Sequence, residues 1–127
     1  MKWFNRWSKA SIPPALASDQ KIELEAQSLR KIKTICSIAM SSADSLAQSS
    51  HDDLAEGERL RFESAKRISL ELAKNITDVS YRDAALEHIV ELCMAANDID
   101  TARILVRGIQ TGMIRERLLA EHPVAFY

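Results

Sequence analysis

The side chains best suited to ligate a metal or to act in acid–base and nucleophilic chemistry are His51, His88, His122, Cys36 and Cys93, and they are scattered along the chain. A zinc site needs three or four convergent ligands, usually announced by close spacing. No His-x3-His, Glu-x-x-His or Cys-x-x-Cys pattern occurs, so neither a metal nor another cofactor is expected. His88 has Asp83 and Glu91 as local partners, and His51 beside Asp52 and Asp53 reads as part of a helix start. Ser-His-Asp catalysis is recognised by geometry, and no distinctive spacing suggests it here. The chain is therefore expected not to be an enzyme. Both cysteines sit in apolar helical patterns, as buried thiols of a reducing compartment would, and the expected location is cytoplasmic. In that setting the sequon Asn75-Ile76-Thr77, at a helix end, is incidental.

Binding chemistry is better represented. Drawn as a helix, Met1 to Ala10 places Trp3, Phe4, Trp7 and Ala10 on one arc and Lys2, Asn5, Arg6, Ser8 and Lys9 on the other. Such a face suits an anionic membrane surface, a groove on another protein, or the open end of this chain's own helices. Tyr81, Arg82, Arg103 and Arg107 are the other contact candidates, expected to be exposed, because tyrosine and arginine are common interface anchors. Arg103 and Arg107, at i and i+4, can share a basic strip with Arg115 and Arg117. Nucleic acid is nonetheless disfavoured as a partner by a pI near 6.3 and the lack of a recognition motif.

Length and composition bound what can position these residues. The chain has 127 residues, 46% of them hydrophobic, with only three glycines and three prolines, which suits one all-α domain. The net charge of −1 is a cancellation: +4 over residues 1–40, −7 over 41–100 and +2 over 101–127. An acidic middle of this kind is ordinarily a solvated helix face and otherwise a surface for a basic partner. The longest uncharged run, Thr34 to Ala43, has ten residues, whereas a membrane-spanning helix needs about 18 or more. Arg6, Lys9 and Pro13-Pro14 make a secretory signal a poor fit.

Three parts are expected: an aromatic, basic segment over 1–18, a helical domain over 19–123 and an apolar tail over 124–127. The first helix is predicted from Asp19 to about Ser49, where Ile22, Leu29, Cys36 and Ala43 recur every seven residues with Ile32, Ala39 and Leu46 between them. Glu25 is the exception in that seam. Ile35, Ile38 and Met40 widen the apolar face beyond a coiled-coil seam, favouring packing within one chain while leaving a homodimer open. A second helix, capped by Ser49 to Asp53 or starting at Gly57, carries Ala65, Ile68, Leu72 and Ile76 on one face. Ser80-Tyr81-Arg82-Asp83 reads as a capping box opening a third, and Asp98 caps a fourth with Ala102, Leu105 and Ile109 inward. A fifth covers Met113 to about Glu121, and Pro123 stops it.

Shifted by 33 residues, the chain superposes Leu72 and Ile76 on Leu105 and Ile109, Arg82 on Arg115 and Leu86 on Leu119. With Ala85-Leu86, Ile89, Asn97-Asp98 at a turn and Ala102 beyond it, residues 72–121 resemble the tetratricopeptide and HEAT-like helical-hairpin repeats of bacterial proteins, although Val90 replaces the pattern's glycine and Ile109 its alanine. The resemblance implies antiparallel helical hairpins in a short α-solenoid or bundle of about five helices. It also implies a non-enzymatic adaptor or scaffold that binds another protein in a groove. The alternative is a peripheral membrane or complex-tethering protein working through Trp3, Phe4 and Trp7. Deleting residues 1–10 separates the roles: self-capping rings predict a lower melting temperature, while unchanged stability with lost association assigns them to a partner.

Overall fold

The computed structural model describes residues 14–48 and 53–126. Trp3, Phe4 and Trp7 lie outside the described residues, as do Ser49 to Asp52 at the expected second cap. The described chain forms five helices of ten residues or more: α1 (Pro14–Gln48), α2 (Asp53–Lys74), α3 (Val79–Ala95), α4 (Ile99–Gly108) and α5 (Gly112–Glu121). A last helical turn, α6, spans Pro123–Phe126. No strand occurs among the described residues, and none of their helices is long and apolar enough to cross a membrane.

The expected boundary at Asp19 moves. The described chain is already helical at Pro14, a position a proline tolerates in a helix's first turn because its φ is already set and its missing N–H would have had no intrahelical partner. Gly57 lies within α2 and does not start it. The α3 cap is also relocated: Asp78, not Ser80, is the N-cap, its carboxylate accepting the Tyr81 N–H at 3.0 Å. Asn97 turns the chain between α3 and α4 with a left-handed φ of 63°. The Asp98 and Asn97 amides donate back to the Cys93 and Met94 carbonyls at 2.8 and 3.1 Å, closing the end of α3 as a Schellman motif. Asp98 then caps α4 as expected, accepting from the Thr101 N–H.

Helix α3 is central, packing against α1, α2, α4 and α5. Its Ala85, Ile89, Val90, Leu92 and Cys93 have no solvent exposure, so it is apolar around most of its circumference, as a helix surrounded by others must be. Ile32, Cys36, Ala39 and Ala43 of α1 meet it in one continuous core with Phe62 and Ala65 of α2, Ala102 and Val106 of α4 and Leu118 of α5. Burying a leucine or isoleucine completely contributes roughly 1.5–3 kcal/mol. Two expected inward positions fail: Ile22 is half exposed, and Ile68 is 45% exposed because the buried α2 face runs through Phe62, Ala65, Ser69 and Ala73, one position round. At the other end Ala125 is buried and Phe126 packs against the core. The described part of the expected tail, through Phe126, therefore packs on the domain, since Pro123 opens a new turn after stopping α5.

Two carboxylates fix the loops. Glu25 of α1, the polar interruption in its apolar seam, is buried and accepts from the Thr77 hydroxyl at 2.6 Å and from the Thr77 and Asp78 amides at 2.5 and 3.3 Å. Asp83 of α3 is fully buried and accepts from the Thr111 hydroxyl at 2.6 Å and the Thr111 and Gln110 amides at 2.7 and 3.1 Å. The capping-box role expected for Asp83 is thereby replaced by a long-range one. In both places the carboxylate satisfies amides that precede a helix and have no intrahelical acceptor, and a buried isoleucine, Ile76 or Ile109, stands just before the clasped residues. The second oxygen of Asp83 makes no hydrogen bond with a described residue, and the Arg82 Nε lies 3.9 Å from it.

The Thr77 hydroxyl, with the Thr77 and Asp78 amides, holds the Glu25 carboxyl below its ordinary value of 4.5 against the opposing push of burial. Its contribution to stability is therefore complete above that value and is lost as pH falls below it. Acid melting curves are expected to show Glu25→Gln losing less stability than the parent on acidification below about pH 4.5. At neutral pH, Asp83→Ala is expected to cost about 3 kcal/mol in urea unfolding, because it strands two amides and a hydroxyl.

Candidate functional site

Helix α4 turns Ala102 and Val106, four residues apart, into the core. Arg103 and Arg107, each one residue further round, are exposed on the adjoining face. Helix α5 brings Arg115 from its first turn and Leu119 from the next, and α6 adds Ala125 and Phe126. These residues line an open groove of about 540 Å³, with three guanidinium groups on its walls and Val106, Leu119 and Phe126 among its apolar lining.

Backbone carbonyls position two of the three cations. The Arg103 Nε donates to the Ala125 carbonyl at 2.6 Å, tying α6 to α4. Arg115 donates to the Ile109 carbonyl at 2.8 Å and the Arg107 carbonyl at 3.3 Å, satisfying the end of α4. Arg107 forms no hydrogen bond through its side chain among the described residues, and none of the three pairs with a described carboxylate. Elsewhere arginines do: Arg117 holds Glu87 with two bonds of 2.7 and 2.8 Å, which removes it from the basic strip expected from sequence. The groove thus collects positive charge beside apolar surface, an arrangement that can receive a carboxylate or phosphate through N–H donors and a hydrophobic side chain on its floor.

The structure brings Arg103 and Arg107 together with Arg115, and leaves Tyr81 and Arg82 elsewhere. Those two are half-buried at the start of α3, not exposed: Tyr81 packs against the core cluster and Arg82 stands beside Asp83. The contributions of Ala125 and Phe126 were not readable, since nothing in a four-residue apolar end says which surface it meets. A second groove, of about 440 Å³, runs between α1 and α2 past Ile35, Ile38 and Leu60. There Ile38 is 73% and Leu60 61% exposed.

Lys66, Asp98 and the two cysteines are each engaged within the fold. Lys66 bridges Glu63 and Asp98 at 3.0 and 2.9 Å, tying α2 to the α3–α4 turn. Burial pulls against the charged form of Asp98, and the Lys66 ammonium with hydrogen bonding from Thr101 overcomes it, leaving that carboxyl below its ordinary range. Burial lowers the proton affinity of His88. Cys36, 3.7 Å from the Ser69 hydroxyl, and Cys93 are both free and buried. Burial pushes both thiols up, Cys93 to about 12, which suppresses the nucleophilic thiolate. Neither thiol is expected to react with an aromatic disulfide reagent at mildly alkaline pH until the protein is unfolded; rapid labelling of the native chain would instead reveal local opening of the α1–α3 core.

No family model, curated protein or solved structure matches this chain.

Proposed function

We propose that the chain is a non-enzymatic protein-interaction module, a short stack of helical hairpins whose arginine groove receives an acidic segment of another protein. The observation that carries this reading is the convergence of Arg103, Arg107 and Arg115 around apolar surface with no described carboxylate paired to them. Electrostatic complementarity then supplies encounter and register, and the floor supplies a place to bury an apolar side chain. The apolar floor and the overall charge of −1 favour a peptide over nucleic acid.

The hairpin reading is supported by the two carboxylate clasps. With α1 and α2 as one hairpin, α3 and α4 as the next and α5 closing the far end, Glu25 and Asp83 become equivalent. Each stands on the first helix of a hairpin and holds the loop that leads into the first helix of the next. The same register underlies the 33-residue match of Ile76 to Ile109 and Arg82 to Arg115. Each unit then leans on its neighbour, as stacked repeats do, and a cytoplasmic setting suits the two free buried thiols.

Fluorescence anisotropy with a labelled peptide of alternating glutamate and leucine tests the groove. Saturable binding that weakens with salt is expected, together with a loss of about tenfold or more, ~1.4 kcal/mol, in Arg107→Glu at an unchanged melting temperature. Equal binding of a lysine–leucine peptide, or indifference to Arg107→Glu, overturns the proposal. Tighter binding of an oligonucleotide than of the acidic peptide would transfer the groove to nucleic acid.

A further inference from the structure

The C-terminal end of α5 meets the last turns of α3 through three side chains that the arginine groove does not use. His122, the C-cap of α5, points its Nε2 at the Glu91 carboxylate, 3.3 and 3.4 Å from the two oxygens. The Glu121 carboxylate lies 4.0 Å from the same nitrogen. One donor atom from each residue lies within 4.8 Å of the other two. We propose that Glu91, Glu121 and His122 form a three-ligand site for a divalent transition cation such as zinc, bridging α3 and α5.

Geometry supports the site first. Ligands at about 2.0–2.2 Å from a tetrahedral zinc lie roughly 3.3–3.5 Å from one another, which is the separation His122 and Glu91 already have. Glu121 is exposed at the helix end, so a rotation of its side chain closes the third edge. Charge points the same way. Glu87 has Arg117, and Glu63 and Asp98 share Lys66, whereas neither Glu91 nor Glu121 pairs with a described lysine or arginine. The carbonyl end of α5 adds its own partial negative charge.

Donor chemistry narrows the cation. Two carboxylates alone suit magnesium or calcium, and a neutral imidazole shifts preference towards zinc and its transition-metal neighbours. Three protein ligands leave a coordination position for water or a partner's side chain. Metal occupancy would also pin to α3 the C-terminal end of α5, the helix whose earlier turns supply Arg115 and Leu119 to the groove.

Isothermal titration of zinc into chelator-treated protein near neutral pH, with magnesium as the control, tests the site. One saturable equivalent per chain is expected for zinc and none for magnesium, with a rise in melting temperature that chelator reverses. Glu121→Gln, which leaves the His122–Glu91 contact in place, should weaken zinc binding about tenfold or more, and His122→Ala should abolish it; the affinity scale follows from losing one of three ligands. No saturable binding, or equal binding by the parent and both variants, overturns the proposal. Because the peptide-binding measurement uses Arg107 and no metal, the two can fail separately.

Discussion

Asp83 has no solvent exposure, and its carboxylate is committed to the amides of Gln110 and Thr111 and the Thr111 hydroxyl. A charge so placed is tolerated only because donors converge on it. The direction of the constraint matters more than its strength. It dictates where the α4–α5 loop crosses α3, and hence where α5 begins. Glu25 does the same for the α2–α3 loop from α1. Two polar groups buried in the apolar faces of their helices set the register of the helices that follow, while the apolar contacts around them, being non-directional, would accept several registers.

The arginine groove is a product of that register. Arg103 and Arg107 belong to α4 and Arg115 to α5, two helices with little direct packing between them, joined mainly through α3 and α6. Their common surface exists because Asp83 sets the start of α5 while Arg103 anchors α6 through the Ala125 carbonyl. Arg115, bonded to the Arg107 and Ile109 carbonyls, completes the wall. The Glu91–Glu121–His122 cluster depends on the same placement from the opposite end of α5.

Much of the helical plan was legible. The capping role of Asp98, the turn at Asn97, the inward Ala102 and Ile109 and the basic pair Arg103/Arg107 follow from periodicity and capping chemistry, which act over one or two turns. Where expectation failed, a distant partner had won. Ser80 looked like a cap until Asp78, whose own amide is held by Glu25 from α1, took that position. Ile68 fitted an apolar stripe, but Phe62 and Ser69 show that α2 is rolled to place a small residue against Cys36. Arg117 matched the basic strip until Glu87 from α3 claimed it.

By itself the sequence determined an all-helical chain, the main helices and turns and most of the core, because those depend on interactions between residues a few positions apart. Only the tertiary structure decided which carboxylate clasps which loop, that Arg115 joins Arg103 and Arg107 while Arg117 does not, and that Glu91 meets His122 from 31 residues away. Those pairings form between helices whose relative roll is set by the packing of the whole core, and no local spacing encodes that roll.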